Sequence, residues 1–149
     1  STWEPIEAVV SSMQGGGLTL DTMHAGGLCG MATFLDPSIT TADNLSGQVV
    51  ARKGDLPEVH TSVSINVHLM SHMVAGDDAS PEKIQPLRNN EMLMLNVATA
   101  TSVGVTRNAE KTKTDLDLRL PICADKGQRI SLSRRVGSRW RLIGYGTIV

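Results

Sequence analysis

The sequence predicts an all-β chain made of two consecutive β-barrel pieces, the first incomplete. Two observations predict it. Apolar residues recur with period two in several short runs, the spacing that lines one face of a half-buried strand. Turn signals separate those runs: Gly15-Gly16-Gly17, Gly26-Gly27, Asp36-Pro37, Gly54-Asp55, Gly76-Asp77-Asp78, Asn89-Asn90 and Asp125-Lys126-Gly127. Short strands spaced by turns fit a barrel or sandwich, and helix is expected to be scarce.

Taken in order, strands are expected near residues 5–12, 28–34 and 47–53. The first ends before the triple glycine, and the second follows Gly26-Gly27. The best helical candidate is a turn or two around Thr40 to Leu45, after Asp36-Pro37. Arg52-Lys53-Gly54-Asp55-Leu56-Pro57 reads as a linker, because Pro57 pushes Leu56 into extended geometry. The clearest strand spans 61–70, where Val63, Ile65, Val67 and Leu69 alternate with Ser64, Asn66 and His68. Gly76 to Glu82 is a polar loop containing Pro81. Strands at 91–98 and 102–107 follow Asn89-Asn90, and 115–120 alternates Leu116, Leu118 and Leu120 with Asp117 and Arg119. The last two, 129–135 and 140–147, flank a tight Val136-Gly137-Ser138 turn. The first 57 residues supply too few strands to close a barrel alone, since closure usually needs about five or more.

With 149 residues, the chain suits one domain or two small ones. No apolar run approaches the roughly 20 residues of a membrane-spanning helix, and the opening residues, with Glu4 and Glu7, lack the apolar segment of a signal peptide. Cys29 and Cys123 are far apart and read as buried free thiols rather than a disulfide or zinc framework. A cytoplasmic location is the simplest expectation.

A net charge of −1 conceals an asymmetry. Residues 1–59 carry Glu4, Glu7, Asp21, Asp36, Asp43, Asp55 and Glu58 against Arg52 and Lys53 alone. Residues 126–149 carry Lys126, Arg129, Arg134, Arg135, Arg139 and Arg141 and no acid. The C-terminal end is therefore the candidate for polyanion contact.

No phosphate-cradling G-x-x-x-x-G-K-[ST], nucleophile elbow or H-E-x-x-H is present, and nothing supports catalysis. His68 and His72 are four apart, a conceivable metal pair, but no third ligand is near; solvent-facing strand-end residues are the plainer reading. In the last hairpin, alternation places Arg135, Ser133 and Ser131 on one face and Arg134, Leu132 and Ile130 on the other. Arg139 and Arg141 share a face across Trp140. Arginines beside an indole suit phosphate contact and stacking on bases or riboses. The plainer reading buries Trp140 and pairs the arginines with Asp115 or Asp117.

In order along the chain, several segments resemble the C-terminal part of the gamma subunit of archaeal and eukaryotic translation initiation factor 2. They are Trp3-Glu4-Pro5-Ile6; Gly26-Gly27-Leu28 with Thr33; Leu35-Asp36-Pro37-Ser38-Ile39-Thr40; and Ala42-Asp43-Asn44-Leu45 with Gly47. Leu56-Pro57 and Leu93-Met94-Leu95-Asn96-Val97 with Thr99, Thr101 and Gly104 continue the match. Pro121-Ile122-Cys123-Ala124 with Lys126-Gly127 and the terminal hairpin close it. The ending Arg139 to Gly146 and the short Gly76–Glu82 loop look archaeal. Ala25 stands where the family usually has proline, Cys29-Gly30-Met31-Ala32 is an atypical filling, and the triple glycine is more flexible than the family's usual loop.

The resemblance implies two barrels of the elongation factor Tu second- and third-domain type. Residues 1–57 would be the C-terminal part of the second domain and 58–149 the third. It also implies that the GTPase domain, with its GTP and Mg, and the opening of the second domain are missing, leaving this chain no cofactor. In such a family the factor carries methionylated initiator tRNA to the small ribosomal subunit, and the second domain docks the alpha subunit. Gly26, Gly27, Leu28, Cys29 and Gly30 would then lie near the aminoacylated tRNA end, where glycines allow close backbone approach. Arg134, Arg135, Arg139 and Arg141 would face small-subunit RNA. The alternative is a stand-alone barrel that docks an alpha-subunit-type protein without RNA. Self-association is expected through the open edges of the incomplete first barrel.

Overall fold

The computed structural model describes residues 3–24, 26–73 and 82–149; Ala25 and all of the expected Gly76–Glu82 loop but Glu82 lie outside them. The chain forms two compact units, Ser1–Ser46 and Gly47–Val149. Residues 47–57 thus group with the second unit, whereas the sequence places the domain boundary after residue 57.

The first unit is a three-stranded antiparallel sheet of order β2-β1-β3, with β1 at Val10–Gly15, β2 at Leu18–Thr19 and β3 at Cys29–Thr33. Gly16 and Gly17 both have positive φ (59° and 80°) between the paired Gly15 and Leu18. Such a two-residue loop matches strand twist and strongly favours glycine. It places β1 later than the strand expected near 5–12 and adds β2, which the sequence does not announce. After β3, the Asp36 carboxylate accepts from the Ser38 N–H at 2.8 Å and Pro37 sits at the first turn. These start the short helix α1, Pro37–Thr40, followed by a 3-10 turn at Thr41–Asp43. Helix therefore comes slightly earlier than Thr40 to Leu45.

The second unit is a closed antiparallel barrel of six strands in the order β4-β7-β6-β5-β8-β9. They span Val59–Leu69 (β4), Met92–Val97 (β5), Ala100–Thr106 (β6), Lys113–Cys123 (β7), Arg129–Val136 (β8) and Arg139–Ile148 (β9). Alternation sends Ile65, Leu93, Leu95, Leu116, Leu132 and Ile143 inward, all fully buried. Closure leaves no open edge. β7 is longer than expected because it continues through Pro121. The β4–β7 register shifts between His60 and Ser62, so Pro121, which has no N–H, falls in the stretch without ladder partners.

Two expectations are corrected. Residues 47–53 form no strand; Val50 is 79% exposed, and a turn closes from the Asp55 N–H to the Arg52 carbonyl at 2.9 Å. Apolar, β-branched residues do not make a strand without a neighbouring strand to take their backbone hydrogen bonds. Both cysteines are free thiols, but Cys29 is exposed, on a three-stranded sheet none of whose residues is buried, and Cys123 is half-buried. The Cys123 thiol donates to the Pro57 carbonyl at 3.0 Å; burial, reinforced by Asp125, pushes its pKa up.

Candidate functional site

The basic hairpin forms as expected, with Gly137 in the left-handed region (φ 60°) at its tip. Directly paired residues share a face, and the pairs are Arg134 with Arg141, Arg135 with Trp140, and Val136 with Arg139. Arg134, Arg139 and Arg141 thus occupy one face, and Arg135 with the half-buried Trp140 the other. The four candidates do not form a single patch. Arg135 and Arg139 are exposed and Arg141 is half-buried.

Arg134 has a different situation. Its guanidinium forms an ion pair with Glu91 and donates to the carbonyls of Gln85 (2.9 Å) and Pro86 (3.2 Å). Its side chain is only 18% exposed. The second Glu91 oxygen also accepts the Arg88 N–H at 3.0 Å. This guanidinium holds residues 85–91 against the hairpin rather than facing solvent. Asp115 and Asp117, the alternative partners, are engaged elsewhere. Asp117 pairs with Arg107 at 2.6 Å. Asp115 accepts from the Ser64 hydroxyl (2.6 Å) and the Asn108 amide (2.8 Å), and these bonds, Ser64's foremost, hold its pKa below the usual carboxylate range.

Of the glycine-rich segment, Gly26 and Gly27 have φ of 112° and 77°, which only glycine adopts readily. A Cβ at Gly26, Gly27 or Gly30 would meet nothing within 4 Å, so within this unit the backbone conformation, not crowding, requires the first two. Leu28 is 95% exposed, and Cys29 and Gly30 open β3 opposite Gly15 and Gln14.

His68 and His72 take separate roles. His72 lies in an isolated bridge with Lys83. Among the described residues, no group of three or more His, Cys, Asp or Glu could hold a metal ion. His68 instead stacks on Tyr145, its cross-strand partner, with centroids 5.1 Å apart and planes 13° apart. The Arg129 guanidinium lies 5.0 Å from the centre of the Tyr145 ring. Arg129 is on β8 and His68 on β4, the two neighbours of β9, so they flank Tyr145 from opposite sides. The sequence reading misses this cluster; the only signal was an outward-facing residue in each of three alternating strands.

The close approach of β4 and β9 depends on glycine. A Cβ on Gly144 would run into the His68 carbonyl oxygen, and one on Gly146 would come within 2.6 Å of the Ile65 side chain. Both residues are buried, and Tyr145 between them points out.

Comparison with known proteins adds a further finding. Residues 61–148, most of the barrel, match the family described as initiation factor eIF2 gamma, C terminal. The translation initiation factor 2 subunit gamma of Methanococcus aeolicus is 49% identical over 146 residues, covering 98% of this chain and 35% of that protein. The subunit of the same name from Methanothermobacter thermautotrophicus is 44% identical over 147 residues, 99% of this chain and 36% of that protein. The counterpart from Natronomonas pharaonis is 45% identical over 148 residues, again 99% and 36%. The chain thus spans about a third of the length of the relatives it matches.

Proposed function

The chain belongs to the initiation factor 2 gamma family, and from that premise we propose that it is part of a GTP-dependent gamma subunit delivering methionylated initiator tRNA to the small ribosomal subunit. In this reading the chain performs no catalysis and binds no cofactor itself. It supplies contact surface for tRNA, ribosomal RNA and the alpha subunit in the cytoplasm, with no role at a membrane. Residues 1–57 belong to the second domain and 58–149 to the third.

The observation that carries the reading is the exposed Arg135 and Arg139, with the half-buried Arg141, at one hairpin tip in a chain matched to gamma subunits over nearly its whole length. Arginine offers phosphate a bidentate fork, and several such contacts give binding that falls steeply with salt. Gly26, Gly27, Leu28, Cys29 and Gly30 are assigned beside the tRNA end, where the exposed Leu28 and the bare backbone leave room for a ribose or ester.

The test is binding of small-subunit RNA to the chain and to a variant with Arg135, Arg139 and Arg141 changed to Glu, across a salt series. The reading expects a steep salt slope in the parent and a large loss in the variant. Equal RNA affinity in both would refute it. The acidic residues of the first unit favour a second reading, a module that docks a basic alpha-subunit-type protein. Alpha-subunit binding unaffected by the arginine reversals, with no measurable RNA affinity, would decide for that reading.

A further inference from the structure

The outer face of the barrel carries a second surface, at the end of strands β8 and β9 away from the hairpin tip. Cross-strand pairs link Thr101 to Asn96, Asn96 to Ser131, Ser131 to Tyr145 and Tyr145 to His68, one residue from each of five adjacent strands. Beside it runs a second row: Arg129 with Thr147, Thr147 with Asn66, and Asn66 with Lys113. All of these are exposed or half-exposed. Neither row contains a carboxylate, and each end of the second row is a cation. The next outward residue along β7, Asp115, has its carboxylate oxygens occupied by Ser64 and Asn108.

We propose that this strip binds single-stranded RNA, with an unpaired base extending the Arg129–Tyr145–His68 stack. The proposal rests on the RNA-contact reading above and assigns it a separate, base-sensing surface. Three features support RNA rather than protein. The His68 and Tyr145 rings already stack on the outer face, so an added base extends an existing stack. Arg129 and Lys113 lie where a backbone crossing the strip would place phosphates. The hydroxyls and amides between them suit 2′-hydroxyls and base edges. Ser131 donates to the Asn96 carbonyl at 3.3 Å and the Asn96 amide donates to Thr101 at 2.9 Å, which fixes the amide and leaves its second N–H for a ligand. The face of His68 turned away from Tyr145, beyond the Asn66–Lys113 end of the β4–β7 ladder, is where the base adds.

The experiment measures fluorescence anisotropy of a short labelled oligoadenylate and an abasic strand of equal length against the full chain. Tyr145→Ala and His68→Ala should each weaken oligoadenylate binding about tenfold, the size expected for one stacked base. Tyr145→Phe should keep parent affinity, because it keeps the ring, and the parent should prefer oligoadenylate over the abasic strand. Unchanged binding in Tyr145→Ala, or no preference between the strands, would overturn the proposal. The Arg135, Arg139 and Arg141 reversal separates the two readings. If it weakens both probes while the stack variants do nothing, the hairpin reading stands and the strip falls. If only the stack variants matter, the strip stands and the hairpin takes no part in single-strand binding. If the parent binds neither strand, the strip falls, and the hairpin reading is decided by its own small-subunit RNA titration.

Discussion

Arg134 shows how one residue's surroundings decide between roles that sequence cannot separate. Four arginines crowd around the hairpin tip, but only Arg134 points into a carboxylate and two carbonyls at low exposure. Removing one member of a mostly buried ion pair leaves the other desolvated and alone. Arg134→Ala should therefore cost about 2–4 kcal/mol of stability, while Arg139→Ala, on an exposed side chain, should change it little; urea denaturation of both variants checks this. Equal stabilities would mean that the Glu91 contact is not formed in solution. Asp115 gives a residue-scale test by pH. Its folded pKa is lowered, first by Ser64 and then by Asn108. Its contribution is thus fully present above the unfolded carboxyl value of about 4 and is lost as pH falls through the folded pKa. Ser64→Ala should flatten the loss of stability on acidification through that window. An identical acid profile in both proteins would remove the hydrogen bond from the account. The carboxylate is only partly withdrawn from solvent, so the effect belongs to the slope rather than to a large change at neutral pH.

At the scale of elements, β9 depends on two glycines to lie against β4. Gly144→Ala places a methyl against backbone, which cannot turn aside as a side-chain end can. It should cost roughly 1–3 kcal/mol, as overpacking does, and should separate His68 from Tyr145. Thermal melting reads the first effect and ring-current shifts of the His68 protons the second; an unshifted spectrum would contradict the packing described. Elements also mark what was legible in the sequence. Strands β4 to β9 were legible because each has one face buried, and burial forces strict alternation, as with Val63, Ile65 and Val67. Residues 47–53 were misread because Val49 and Val50 carry β propensity without a partner strand. The arginine hairpin was legible as a local alternation. The Arg129–Tyr145–His68 stack was not, because only the β4–β9 pairing brings His68 beside Tyr145, and register between distant strands leaves no mark in either segment.

At the scale of the whole molecule, the two units differ in how they bury apolar surface. Every buried apolar side chain among the described residues lies between Val63 and Ile148, in the second unit. The first unit leaves Ile6, Val9, Leu18, Leu28 and Phe34 exposed, Leu28 almost completely and Phe34 at 78%. Its sheet ends in β2 on one side and β3 on the other, so strand edges accompany uncovered apolar faces. Open edges pair with other chains, and exposed apolar clusters drive the same association by burial. On its own in solution, this chain should self-associate through the first unit. Sedimentation equilibrium should show mass rising with concentration, and a chain shortened to residues 47–149 should stay monomeric because its barrel has no edge. Leu28→Lys with Phe34→Lys should weaken association without altering the barrel's melting, because neither residue belongs to its core. A single monomeric mass for the full chain across a wide concentration range would mean that the first sheet is covered in solution by a route other than pairing with a second copy.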